Sequence, residues 1–176
     1  MDEVDVSEGL EDILAERLAV IFCGINPGVL AAAQGHHFAG RGNRFWRTLH
    51  LAGFTPEEVR PENDRTILHF QCGLTAVVER PTARADQLSL HDSSQRQRIS
   101  NRRSRAMRHV SWRFSARRRT RRYRVSEVAW GLQAKTFGNA AVWVLPNPSG
   151  RNRAFSLDQL VDAYSVLRLA AIDPAQ

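Results

Sequence analysis

Apolar residues along the chain fall into short continuous runs, with a few stretches of helical spacing between them. Leu18–Ile25 (LAVIFCGI) is almost wholly apolar and of strand length. A run without alternation is buried on both faces, which is the habit of strands in parallel sheets. It ends in Asn26-Pro27-Gly28, which breaks any regular element. Gly73–Val78 (GLTAVV) and Ala141–Leu145 (AVWVL) are further buried-strand candidates. Arg80-Pro81 closes the first, and Pro146-Asn147-Pro148-Ser149-Gly150 the second. Asn43–Ala52 places Phe45, Trp46 and Leu49 at helical spacing, with Gly53 as the stop. Thr55–Glu58 has the form of a capping box and predicts a helix nearby, broken at Pro61 and resumed toward Ile67–Phe70. Ser156–Gln159 is a second such box. It opens an amphipathic helix over Leu157–Ile172, with Leu160, Val161, Tyr164, Leu167 and Leu169 as its apolar face. Val29–Gly42, rich in Gly, Ala and His, predicts a long loop holding a short helical turn, and Met1–Glu11 a loose acidic leader.

Strands alternating with helices predict an α/β domain with a mainly parallel sheet. In such sheets, sites form in the loops that follow strand C-termini. Two strands here end in related turns, Gly24-Ile25-Asn26-Pro27-Gly28 and Pro146-Asn147-Pro148-Ser149-Gly150. Each offers a side-chain amide beside proline and glycine. Either turn alone is also an ordinary way to reverse a chain.

At 176 residues the chain suits one domain, and its apolar content of 43% is that of a globular protein. There is no apolar run of membrane-spanning length, so no membrane association is expected. The acidic N-terminus lacks a signal-peptide pattern and predicts a cytoplasmic protein. Cys23 and Cys72 are too few and too isolated for a disulfide framework. The histidines have no metal-ligand spacing with either cysteine, so no metal is expected. His36-His37 reads as a solvated loop pair. No Cys-His or Ser-His-Asp arrangement suggests a nucleophile.

Charge changes the picture. The formal net charge of +7 points to nucleic acid. Yet Ser93–Ser126 alone holds 13 arginines and no acid, while the remaining 12 basic residues face 18 acidic ones, a balance of −6. One segment makes the whole protein basic. All the basic residues except Lys135 are arginine, a mark of GC-rich coding DNA.

Four motifs in order change the reading of the two turns. VIFCGINPG (Val20–Gly28), NRFW (Asn43–Trp46), CGLTAVVERPT (Cys72–Thr82) and VWVLPNPSG (Val142–Gly150) resemble the mismatch-specific uracil-DNA glycosylase family, the bacterial relatives of thymine-DNA glycosylase. The resemblance spans about Asp12–Leu90 and Trp130–Leu169. It implies a three-layer α/β/α fold around a mainly parallel sheet. It implies hydrolysis of the N-glycosidic bond of uracil, and less efficiently thymine or altered pyrimidines, opposite guanine in duplex DNA. The product is an abasic site. No cofactor is implied, and the partner is double-stranded DNA carrying G:U or G:T mismatches, met by a monomer.

The resemblance also assigns roles. A base inside a duplex is unreachable, so it must be flipped into a pocket. Bond cleavage then needs a held water and donors toward the leaving pyrimidine. Asn26 matches the position that orients the water. An amide has no useful protonation equilibrium near neutral pH, so Asn26 orients rather than deprotonates, and turnover is expected to be slow. Ile25 and Gly28 lie where pocket donors belong. Phe38 matches the aromatic that stacks on the base, against an alternative as a core residue. Asn43 is a pocket residue or a helix cap. Asn147 and Ser149 belong to the second motif. Gly150–Arg153 matches the wedge that fills the gap left in the stack. Arg151 stands where the family has an apolar wedge; a guanidinium can stack on bases and hydrogen-bond guanine. Arg153 holds the family's basic position. Ala76 replaces a frequent lysine. Asp86 and Asp92 are candidates to activate water, or plain surface charge. Two other classes compete: a non-catalytic basic DNA- or RNA-binding module, and a glycosylase fold that binds mismatches without cleaving.

Between Leu90 and Trp130 the resemblance lapses. Ala106–Ala116 (AMRHVSWRFSA) puts arginine and histidine where the family has an apolar buried strand, and Arg117–Arg122 (RRRTRR) repels itself. Three readings compete for Ser93–Ser126: a phosphate-gripping insertion, a disordered excursion, and translation out of frame. The third is favoured, because out-of-frame GC-rich DNA yields arginine and serine while length and flanks are kept. It predicts an intact mass for the natural protein that departs from the sequence as written; a matching mass rejects it.

Overall fold

A computed structural model describes residues 10–24, 28–76, 109–114, 130–137 and 139–172. In chain order these form β1 (Val20–Gly24), α1 (Val29–Gln34), α2 (Phe45–Leu51), a 3-10 helix (Pro61–Phe70), β2 (Cys72–Ala76), β3 (His109–Phe114), β4 (Gly131–Phe137), β5 (Ala140–Pro146) and α3 (Leu157–Ala171). The five strands make one sheet in the order β2-β1-β3-β5-β4. β2, β1, β3 and β5 run parallel, and β4 is antiparallel to β5. This is the α/β class with a mainly parallel sheet. The chain steps from β1 to β2 on one side, then returns across β1 to β3. In open α/β sheets that reversal opens a crevice at the C-terminal ends of the strands.

β1 is buried throughout, as its unbroken apolar run predicts. Val20 and Phe22 face one side of the sheet; Ile21 and Cys23 face the other. Both faces are therefore covered, as a three-layer arrangement requires. Phe22 is the hub of one layer. Its ring meets Phe45 edge-on at 5.4 Å and Phe54 at 5.3 Å, and stacks on Tyr164 at 6.0 Å. One strand residue thereby ties α2, the loop after it and α3 to the same sheet face.

The Ser156 box forms in full. The Ser156 hydroxyl accepts the Gln159 N–H, and the Gln159 side chain accepts the Ser156 N–H. Ser156→Ala is expected to cost about 1 kcal/mol, read as a lower urea midpoint. Leu160, Tyr164 and Leu167 are buried, but Leu169 is exposed. Two residues beyond Leu167, it lies about 200° further round the helix and leaves the apolar face.

Thr55–Glu58 opens no helix. Glu57 and Glu58 are exposed, so no apolar face follows the box, and the Thr55 hydroxyl donates to the Glu57 carbonyl at 2.7 Å instead. Pro61 begins the 3-10 helix rather than breaking one, since its missing N–H is no loss in a first turn. The central strand β3 comes from within the arginine-rich segment. The edge strand β4 escapes prediction because Leu132, Ala134 and Thr136 are exposed and its ladder to β5 shifts register between Leu132 and Thr136.

Cys72 is fully buried at the start of β2, and burial pushes its thiol up from 9.0 to about 12. The folded state keeps the proton that the unfolded chain releases above 9.0. Its contribution is therefore full below pH 9.0 and is lost as pH rises toward 12. Urea unfolding above pH 9 should show a fall in stability that Cys72→Ala removes.

Candidate functional site

β1 and β5 end at the same C-terminal edge of the parallel strands, at Gly24 and Pro146, with β3 between them, and the second Asn-Pro turn leaves that edge after β5. Ile25, Asn26, Asp86 and Asp92 lie outside the described residues. Gly28 caps α1 in an extended conformation, and its carbonyl accepts the Ala32 N–H at 2.9 Å.

The segment after α1 returns toward the second turn. Phe38 is half-buried at φ 58, with its ring 4.0 Å from that of Phe45. Asn43 accepts the Phe45 N–H through Oδ1 at 3.0 Å. Its oxygen thus serves to start α2. A cleft of about 370 Å³ opens beside these residues, lined by Phe38, Asn43, Trp46, Arg60 and Pro61 among others.

The loop after β5 is self-bracing. Asn147 Oδ1 accepts the Ser149 N–H at 3.0 Å, and Asn152 Nδ2 donates to the Asn147 carbonyl at 2.9 Å. The Asn152 N–H donates to the Ser149 carbonyl at 2.9 Å, and Ser149 Oγ accepts from Arg151 N at 3.4 Å. Asn152 is buried, while Gly150, Arg151 and Arg153 are exposed. The loop therefore presents glycine and two guanidinium-bearing residues outward on a fixed base.

Arg44 joins the two segments. Its Nη1 donates to the Phe155 carbonyl at 2.8 Å, and its Nη2 to those of Asn152 at 2.8 Å and Ser149 at 3.3 Å. Its backbone N–H donates to the Pro148 carbonyl at 3.0 Å. Within the NRFW motif the sequence assigns Arg44 no role. The available signal was an arginine just ahead of a helix, in one of four motifs that occur in order. Gly42 and Gly150 touch at the same junction: a Cβ on Gly150 would run into the Gly42 carbonyl oxygen. Gly150→Ala should push the loops apart and cost roughly 1–3 kcal/mol, as overpacking does, seen as a lowered melting temperature.

Of the His36-His37 pair, expected to be solvated, His36 is half-exposed and His37 is not solvated. His37 is buried; its N–H donates to Asp64 Oδ2 at 2.9 Å, and its Nε2 lies 2.8 Å from the Glu11 carbonyl. A loop that turns back at Phe38 needs internal partners for its backbone, and Asp64 supplies one to the His37 N–H. Among the described residues, no group of three or more His, Cys, Asp or Glu could hold a metal. No helix among them is long and apolar enough to cross a membrane.

The Uracil DNA glycosylase superfamily profile matches residues 12–168. This chain belongs to that superfamily. The matched span takes in both Asn-Pro turns, Phe38, Arg44 and β3. The fold resembles a solution NMR structure from Methanosarcina acetivorans, provisionally named a uracil DNA glycosylase, with TM-score 0.62 and 18% identity over 92% of this chain and 96% of that one. In this superfamily member, the tie through Arg44 is what makes Phe38–Asn43 and Asn147–Arg153 a single surface.

Proposed function

We propose that this superfamily member hydrolyses the N-glycosidic bond of uracil, and less efficiently of thymine, paired with guanine in duplex DNA, leaving an abasic site. The observation that carries the reading is the junction of Phe38–Asn43 with Asn147–Arg153, beside the strand end that leads to Asn26. Neighbouring strands are about 4.8 Å apart, so the ends of β1 and β5 are separated by roughly 10 Å, room for one planar base between two loops.

In this reading the base leaves the stack and rests on Phe38. Asn26 holds the attacking water, while Ile25 and Gly28 offer backbone groups to the pyrimidine. Positive charge develops on the sugar and negative charge on the leaving base. Fixed donors stabilise that charge separation without reorganising. The Asn147–Ser149 turn closes the pocket, and Gly150–Arg153 enters the vacated stack, with Arg151 as stacking and guanine-contacting group. The enzyme acts as a monomer in the cytoplasm and needs no cofactor. Outside the arginine-rich segment the charge balance is −6, so DNA is gripped locally through Arg151 and Arg153.

Release of uracil from G:U duplexes and uracil-containing single strands, and of thymine from G:T duplexes, tests the specificity. Faster release from G:U than from single strands supports the mismatch reading, and equal rates reject it. A basic binding module would instead show steep salt dependence and no abasic product.

A further inference from the structure

Phe38 is an aromatic residue in the left-handed region, at φ 58. Side chains other than glycine rarely hold that conformation, and they do so only where the surroundings over-determine it. What over-determines it is the preceding residue. The His37 carbonyl, which belongs to the peptide entering Phe38, accepts the Trp46 Nε1–H at 3.1 Å. The His37 ring lies against the Glu11 carbonyl, and the His37 N–H is held by Asp64.

Asp64 is the least expected of these partners. It sits in the 3-10 helix, 27 residues from His37, and is only 5% exposed. A buried carboxylate is costly unless it is paired and hydrogen-bonded. Among the described residues both its polar partners come from one place. They are the His37 N–H, and His36 Nδ1 at 3.7 Å from the same oxygen, a ring nitrogen that is itself buried and otherwise unpaired. The carboxylate is thus spent on the turn that carries Phe38.

We propose that Asp64 is a positioning residue for Phe38: it fixes the His36–His37 turn and so sets the ring on which the flipped base stacks. This rests on the reading of Phe38 as the stacking residue. Without Asp64 the His37 N–H loses its acceptor, and the turn can relax away from the left-handed conformation. The ring then withdraws from its place on Phe45.

Single-turnover uracil release from a G:U duplex, with Asp64→Ala, Asp64→Asn, Phe38→Leu and the Asp64→Ala/Phe38→Leu pair, tests this. Misplacing a positioning group by about 1 Å can cost up to about a hundredfold, so Asp64→Ala should slow release about tenfold, and Asp64→Asn, which keeps an acceptor, no more than about twofold. On the Phe38→Leu background Asp64→Ala should add nothing, because the ring it positions is gone. Full multiplication of the two losses, or a wild-type rate for Asp64→Ala, overturns the assignment. The Phe38–Phe45 ring contact, followed by NMR in the free protein, gives a readout independent of catalysis. If the wild type releases no uracil, the base-release reading falls, and the ring contact alone decides: its loss in Asp64→Ala upholds the positioning role, and its persistence rejects it.

Discussion

Arg44→Ala is expected to lower the melting temperature by roughly 6–12 °C and to remove most uracil release. Three carbonyls, those of Ser149, Asn152 and Phe155, converge on its guanidinium. A hydrogen bond to a charged group contributes about 1.5–3 kcal/mol, but such bonds sharing one group are not additive, so about 3 kcal/mol is a fair total. In a domain of this size that corresponds to about 2–4 °C per kcal/mol. Activity should suffer more than stability, because the lost bonds are the ones that hold Asn147–Arg153 against Phe38–Asn43. Arg44→Lys should recover less than half of either effect: an ammonium is a point charge and cannot span three separated carbonyls. Thermal melts followed by circular dichroism, with uracil release on the same preparations, check both. A melt within about 2 °C of wild type for Arg44→Ala would remove the guanidinium from the account of the loop, since it would leave less than about 1 kcal/mol to the three bonds.

The parts of this molecule legible in the sequence are those whose local pattern and tertiary fate agree. β1, β2 and β5 are unbroken apolar runs and become buried parallel strands. α3 has its box and its stripe, and forms with only Leu169 outside the packed face. β1 ends at Gly24, where the first Asn-Pro motif begins, and β5 ends at Pro146, where the second begins. The rest depended on partners far along the chain. Thr55–Glu58 carries a cap without an apolar face behind it. β4 is an exposed edge, held by β5 rather than by its own residues. β3 lies in a segment of arginine and histidine whose composition hides the strand. Within the site, Phe38, Asn43 and the second loop were visible as motifs. Arg44 and Asp64 were not, because their roles consist of hydrogen bonds across 105–111 residues for Arg44 and 27 for Asp64. Local sequence does not signal a guanidinium that serves three remote carbonyls, or a carboxylate spent on a turn.

Asn26→Ala carries the second large expected effect, a loss of roughly a hundredfold or more in the rate of uracil release with little change in stability. Asn26 follows the end of β1 by two residues, and β1 is the strand at which the topology reverses. An amide supplies both a donor and an acceptor, enough to hold a water in one orientation, and it has no proton to exchange near neutral pH. Placing a reactant in line commonly contributes at least a hundredfold. Connecting turns run over the surface, and a substitution in one usually shifts stability by under about 0.5 kcal/mol. The same reasoning predicts a rate with no Asn26-dependent inflection between pH 6 and 9, since the residue does not titrate.

The central claim is that this superfamily member cleaves uracil from mispaired DNA with water oriented by Asn26. It is tested most directly by incubating wild type and Asn26→Ala with a G:U duplex and following alkali-labile strand breaks over time. The account predicts abasic sites with the wild type, slow in turnover, and a trace or none with Asn26→Ala at equal folded concentration. Undiminished release by Asn26→Ala, or no abasic product from the wild type, would contradict it.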